Sequence, residues 1–420
     1  MGDRLAILGG LPVRKQPYPG WPVLGEPEEQ ALLRVLRSRR WGRHGQGEIE
    51  RFEERFAHLH GAACGLAVTS GTVALRVALM AIGIQAGDEV IVPPYTFLAT
   101  ATAVIEANAT PIFVDIQPDT YNLDPQSIQP AITPRTRAII PVHLAGLPAD
   151  MDAILEIARR HGLCVIEDAA HAHGAQYRGR AVGSLGDLAC FSFQSSKNVS
   201  SGEGGMVLTS DPELFDRARA FHDCGRRPAG AWYEHHVISG NYRMTEFQAA
   251  LLNCQLDRLE EQFARREANG RYLAERLGRI PGLILQTGRT AHVRHAYHLF
   301  IFRFDPAVYG VPKRVLIEAL KAEGIPASEG YPVPLHRQPL FVNRAFGPYT
   351  GCLAGRPELD YGRVSCPVAE AACEQAGWLY QSVLLGSQSD MDDVVRAFGK
   401  LHEHRDELKR LDATARTEPQ

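Results

Sequence analysis

Lys197 is the residue whose setting says most about chemistry. It closes the run Phe191-Ser192-Phe193-Gln194-Ser195-Ser196-Lys197 and is followed by Ser201-Gly202-Glu203-Gly204-Gly205. Its neighbours are small and neutral, unlike the charged company of a surface lysine. A lysine held in such a pocket has its pKa lowered enough to act as nucleophile and base. Asp168 ends another apolar run, Leu163-Cys164-Val165-Ile166-Glu167, where a carboxylate has to find a cation or donors. Thr69-Ser70-Gly71-Thr72 precedes a strongly apolar helical pattern. A small, hydroxyl-bearing turn at a helix N-terminus offers free backbone N–H groups and the positive dipole end, a seat for phosphate.

Taken singly, each segment also has an ordinary structural account: a solvated loop lysine, a capping or ion-paired aspartate, a plain N-cap. Together they are more specific. A phosphate seat, an acid and a buried lysine at one sheet edge match what pyridoxal 5′-phosphate requires: a lysine to bond its aldehyde and an acid to keep its ring nitrogen protonated. For the aromatic ring that should stack on it, Pro93-Pro94-Tyr95-Thr96-Phe97 supplies Tyr95 and Phe97. Other ligands are disfavoured. The stretch 42–47, GRHGQG, misses the GxGxxG spacing and follows no strand, and no GxxxxGK[ST] occurs. His171 and His173 lie only two apart with no cysteine nearby, so no metal centre is expected.

These residues need a frame that brings strand ends together. Short apolar runs at 89–93, 111–116, 137–144, 163–168, 188–193 and 205–210 alternate with helical patterns at 72–83, 97–107 and 150–160. Uniformly apolar strands are buried on both faces, so the alternation predicts a mostly parallel sheet flanked by helices. In such sheets ligands sit beyond the carboxyl ends of the strands, where all three segments fall. Residues 245–279 read as one long helix, or two joined near Gly270, with Leu252, Leu256, Leu259 and Phe263 on one stripe. A strand at 298–304 and a helix at 313–324 then define a second, smaller α+β unit. The expected division is a large cofactor-binding domain over 1–270, N-terminal segment included, and a small domain over 271–420 ending in a polar, frayed tail.

Length and composition agree with this frame. At 420 residues the chain is about three times the usual domain length of ~150, which rules out one small core. With 45 Lys+Arg against 48 Asp+Glu there is no basic field for nucleic acid. No run reaches the ~18 apolar residues of a membrane span, and the first residues lack a signal-peptide core. The eight cysteines form no CxxC pair, so free thiols and a cytoplasmic location are expected.

Over nearly its whole length, the chain resembles the DegT/DnrJ/EryC1/StrS family of pyridoxal-phosphate aminotransferases. The matching motifs are SGTVAL, DEVIVPPYTFLAT, VIEDAAHAHGA, FSFQSSKNVSSGEGG and GNYRMTEFQAAL. The resemblance implies a type I aminotransferase fold and a homodimer with active sites at the interface. It further implies Lys197 as the lysine that bonds the cofactor, Asp168 beside the pyridine nitrogen, and Phe97 in the stacking place. Gly71, Thr72 and Ser192 would cradle the phosphate, which Asn241 would reach from the neighbouring subunit. His171 falls near the phenolic oxygen, and Arg243, Tyr331 and His336 match positions near the substrate. Nucleotide-sugar enzymes of the family usually carry His or Tyr three residues before the lysine, where this chain has Gln194. That difference favours the branch acting on cyclitol ketones or making aminohydroxybenzoate. The expected reaction moves an amino group from L-glutamine or L-glutamate to an inosose-like ketone, with a nucleotide keto-sugar or aminohydroxybenzoate chemistry as the alternatives. Related dehydratases replace the lysine with histidine, and a non-catalytic regulator would not need the intact set.

Overall fold

The computed structural model describes residues 4–227, 230–288 and 292–409. Seven strands form the larger sheet: β1 (Cys64–Val68), β2 (Glu89–Val92), β3 (Thr110–Phe113), β4 (Thr136–Ile139), β5 (Cys164–Asp168), β6 (Leu188–Ser192) and β7 (Gly205–Thr209). Their spatial order is β1-β7-β6-β5-β4-β2-β3. The pairings from β6 through β5, β4 and β2 to β3 are parallel, while β7 pairs antiparallel with both β6 and β1. Only β7 therefore runs against the rest, and the other strands point their carboxyl ends to one edge. The expected apolar runs became β2 to β7. β1, Cys-Gly-Leu-Ala-Val, was not expected, because its glycine interrupts a run of only five residues.

Helices cover both faces, as strands apolar on both sides demand. On one face, α3 (Gly71–Ala81), α4 (Ala99–Glu106) and α6 (Pro212–His222) bury Val77, Val104 and Ala218 against Val90 and Ile166. On the other, α2 (Glu48–Leu59), α5 (Met151–His161) and α7 (Glu246–Leu277) bury Phe52, Ile154 and Phe263 against Val165 and Phe191. An amphipathic helix, α1 (Glu26–Ser38), packs on α7 through Ala31 and Val35.

α7 is one continuous helix of 32 residues, and Leu252, Leu259 and Phe263 of its apolar stripe are buried. Gly270 does not break it. A Cβ there would lie 2.5 Å from the Tyr297 ring, so the glycine makes room for a neighbour.

The second sheet has four antiparallel strands, β8 (Leu283–Leu285), β9 (Leu299–Phe304), β10 (Ala327–Ser328) and β11 (Ala376–Tyr380), in the order β8-β9-β11-β10. Two helices, α8 (Lys313–Ala322) and α9 (Gln388–Glu403), pack against it around Phe302, Leu316 and Phe398.

Two features differ from the expected division. Residue 270 lies within α7 rather than at a boundary. The N-terminal segment packs with the C-terminal unit: Leu5 is buried in its core, and Ala6 N–H and Val13 N–H donate to the buried Glu323 carboxylate at 2.7 and 3.0 Å. Glu323 also pairs with Lys400 at 2.9 Å. Leu408 is fully buried, so the start of the supposed tail is packed, and residues 410–420 lie outside the described residues.

Candidate active site

Beyond the carboxyl edge of the large sheet lies a cavity of about 540 Å³, walled by residues from both units. β1 ends one turn before α3, so Ser70, Gly71 and Thr72 reach its wall. The Ser70 hydroxyl accepts from Val73 N–H at 3.2 Å and the Ser70 carbonyl from Ala74 N–H at 3.0 Å. At the first two helical positions, Gly71 N–H and Thr72 N–H are left without a partner among the described residues. Ser192, at the end of β6, closes the other side of this turn. A Cβ on Gly71 would meet the Ser192 Cβ at 2.7 Å, so only glycine lets the two strand ends approach this closely.

Asp168 is the last residue of β5 and is buried. Its Oδ2 accepts from the Thr100 hydroxyl at 2.8 Å and its Oδ1 from Ala170 N–H at 3.2 Å. Burial raises its pKa, opposed by the Thr100 hydroxyl, the Ala170 N–H and the charge of Lys197. A carboxylate in this position awaits a cation.

Lys197 sits in the turn after β6, half-buried in the cavity wall. Burial lowers its pKa to about 8, against the opposing pull of Asp168. Its amine is thus far more often neutral near pH 7 than a solvated lysine. Gln194 folds back to hold this turn: its Oε1 accepts from the Ser196 backbone N–H at 2.9 Å and the Ser196 hydroxyl at 2.7 Å. Trp21, from the N-terminal segment, donates its indole N–H to the Ser195 carbonyl at 2.9 Å.

Gly71, Thr72, Phe97, Asp168, His171 and Ser192 thus share a wall with Lys197 and Tyr331. Phe97 is 61% exposed at the mouth, a ring with one face open for stacking. Tyr95, the other aromatic in that segment, is instead buried against Tyr121 and Tyr331 and lies off the cavity. Three further candidates also lie off it. His336 is buried beside Phe113, with Nε2 3.0 Å from a Glu370 carboxylate oxygen. Arg243 pairs with Asp223 and sits 3.6 Å from the Cys224 sulfur. Asn241 Oδ1 accepts from Arg243 N–H at 3.2 Å.

The wall also holds residues that sequence reasoning did not single out: Thr96, Thr100, His298, Trp378 and Tyr380. Thr100 follows Phe97 by one helical turn, a spacing from which its position could have been read. His298, Trp378 and Tyr380 arrive from the second sheet, and no local pattern announces them.

Among solved structures, the crystal structure of 3-amino-5-hydroxybenzoic acid synthase superposes with a TM-score of 0.84 at 36% identity, covering 93% of this chain and 100% of that one. The fold is that of the type I aminotransferases. Residues 22–398 match the DegT/DnrJ/EryC1/StrS aminotransferase family, and the chain belongs to it. The protein is an aminotransferase. It is 41% identical to the putative L-glutamine:3-amino-2,3-dideoxy-scyllo-inosose aminotransferase of Streptoalloteichus tenebrarius, across 97% of this chain and 100% of that protein. It is 40% identical to the L-glutamine:2-deoxy-scyllo-inosose aminotransferase of Micromonospora echinospora, across 96% of this chain and 99% of that protein. Among the described residues, no helix is long and apolar enough to cross a membrane.

Proposed function

We propose that this chain binds pyridoxal 5′-phosphate and uses it to move an amino group from L-glutamine to an inosose-like keto-cyclitol. The observation that carries the reading is one cavity wall combining a lysine of lowered pKa, a buried carboxylate and two unpartnered N–H groups at a helix start.

The residues fit the cofactor. Gly71 N–H, Thr72 N–H and Ser192 make a narrow anion seat that a side chain at 71 would fill. The buried Asp168 would hold the ring nitrogen protonated, because a carboxylate stripped of water stabilises a cation beside it. Phe97 offers its open face to the ring. When bound, the cofactor supplies an aldehyde carbon and an electron sink for the amino transfer.

Lys197 does the proton work. With a pKa near 8, its Nζ is basic enough to remove a proton from the donor's α-carbon and neutral often enough to do so near pH 7. The same amine returns a proton when the ketone accepts nitrogen in the second half of the cycle. Gln194 and Trp21 hold the turn on which Lys197 stands, which fixes where Nζ can reach.

Glutamine as donor and a keto-cyclitol as acceptor are supported by full-length similarity to two inosose aminotransferases named for L-glutamine. Gln194, where nucleotide-sugar relatives usually carry His or Tyr, favours the same branch.

A homodimer is part of the proposal, with Asn241 serving the neighbouring subunit's phosphate seat. Asn241 lies off its own cavity, and the segment before it exposes Trp232, Tyr233 and Ile238 at 78, 77 and 96%, apolar surface that a second copy would cover. The eight cysteines are all free, which accords with a reducing cytoplasm.

The test is a substrate panel. Inososes, amino-deoxy ketocyclitols and nucleotide keto-sugars are each offered with glutamine and with glutamate. Turnover confined to the cyclitols with glutamine supports the reading, and turnover confined to nucleotide keto-sugars overturns it.

A further inference from the structure

His171 and His298 lie against each other in the cavity wall, with ring centroids 4.2 Å apart and planes tilted by 37°. One ring follows β5 of the large sheet, and the other immediately precedes β9 of the small one. Both are buried, at 6% and 3% exposure.

Hydrogen bonds fix the proton on each ring. Asn198 donates its Nδ2 to the Ala296 carbonyl at 2.8 Å, so its Oδ1 is the atom 3.0 Å from His298 Nδ1. An amide oxygen only accepts, and therefore His298 Nδ1 carries the hydrogen. On His171 the arrangement is reversed: Nδ1 accepts from Ala145 N–H at 3.2 Å. Burial, followed by the charge of Lys197, keeps His171 far below its ordinary pKa, and burial with His171 and Lys197 does the same to His298. Two neutral rings of opposite tautomer result. His171 carries its hydrogen on Nε2, while His298 Nε2 bears a lone pair. With Nδ1 held by Asn198, Nε2 is the ring nitrogen without a partner among the described residues on this cavity-lining side chain.

We propose that His298 Nε2 is a specificity-determining acceptor, taking a hydrogen bond from a hydroxyl of the ketone substrate. This rests on the keto-cyclitol reading above. Of the wall's other strong acceptors, Glu203 is exposed to solvent, and the two deeper ones are engaged. Asp168 accepts from Thr100 and Ala170, and Gln194 Oε1 accepts from Ser196 twice. A ring bearing several hydroxyls loses water on entering the cavity and needs new acceptors for them. His298 supplies one beside Lys197, and the donor glutamine, which has no hydroxyl, makes no such demand.

Two substitutions separate the ring's two nitrogens. His298→Asn places an amide N–H where Nδ1 stood, keeping the bond to Asn198 while losing Nε2. His298→Gln places its amide near the Nε2 position and keeps an acceptor there. With the enzyme loaded with pyridoxal phosphate, 2-deoxy-scyllo-inosose as ketone and L-glutamine as donor, the KM for the ketone rises about tenfold or more in His298→Asn. The KM for glutamine moves much less, and His298→Gln recovers most of the ketone KM. Nitrogen-15 spectra of the histidine-labelled protein without cofactor supply an independent readout, with His298 protonated on Nδ1 and His171 on Nε2. Equal rises in both KM values, no recovery by Gln, or a His298 protonated on Nε2 each overturn the proposal. A wild-type enzyme that turns over no hydroxylated ketone overturns the keto-cyclitol reading and the proposed occupant together. Normal wild-type turnover with an unshifted ketone KM in His298→Asn overturns the proposal alone.

Discussion

The Thr100 hydroxyl donates to Asp168 Oδ2 at 2.8 Å and lies 3.1 Å from the Thr96 hydroxyl. Thr100 has one hydrogen and spends it on the carboxylate, so Thr96 must donate to Thr100. The start of α4 thus delivers a directed chain of hydroxyls to the one carboxylate facing the cavity from β5.

Removing the last link should loosen the cofactor. Thr100→Val keeps the shape but takes away a donor to a charged acceptor, a bond worth about 1.5–3 kcal/mol. The Kd for pyridoxal phosphate, followed by its absorption, should rise about tenfold or more, and Thr100→Ser should restore it. An unchanged Kd in Thr100→Val would show that Asp168 does not depend on this chain.

The titration of Lys197 is measurable without any cofactor. Its pKa is lowered to about 8 by burial, so the neutral, reactive fraction grows about tenfold per pH unit below 8 and levels off above it. A solvated lysine keeps gaining reactivity until about pH 10.4. Trace acetylation with acetic anhydride across pH 6–11, read at each lysine by mass spectrometry, should show Lys197 levelling first. A Lys197 profile matching that of the exposed lysines would contradict the burial argument.

At the phosphate seat, Gly71→Ala drives a Cβ to 2.7 Å from the Ser192 Cβ. Overpacking of this kind costs about 1–3 kcal/mol and moves the two N–H groups. Cofactor affinity should fall about tenfold or more. The double variant with Ser192→Gly should recover part of the loss, because it removes the atom in the way. If Gly71→Ala binds cofactor normally, the seat lies elsewhere.

Gly270→Ala tests packing against propensity. Alanine favours an exposed helix over glycine by about 1 kcal/mol. The new Cβ, however, meets the Tyr297 ring at 2.5 Å, and that ring is stacked on His295 at 4.0 Å and has little freedom to retreat. Overpacking at about 1–3 kcal/mol should outweigh propensity, so thermal unfolding should show a lower Tm. Adding Tyr297→Ala to Gly270→Ala should relieve the clash, which separates it from any general effect at this position. A higher Tm in the single variant would mean that the ring yields.

Much of the large sheet was legible because β2 to β7 are buried on both faces and read as apolar runs. Asp168 and Lys197 were legible for a related reason, since each stands at or just after an expected strand end; Gly71 was legible as a small turn before an apolar helix, and Ser192 through the family resemblance. His298 was not, since its tie to Asn198 spans 100 residues of sequence. The N-terminal segment was likewise assigned to the wrong neighbour. What holds it is Glu323, whose bonds to Ala6 and Val13 cross more than 300 residues and leave no local pattern. His336 had a motif position, but its ring is spent on Glu370 away from the cavity, a choice made by packing that its own segment does not reveal.

The central claim is that Lys197 holds pyridoxal phosphate in this cavity. Reducing the yellow loaded protein with borohydride and mapping its peptides tests this most directly. The account predicts one cofactor fixed per chain, on the peptide containing Lys197, and none in Lys197→Ala. Cofactor fixed on another lysine, or fixed undiminished in Lys197→Ala, would contradict it.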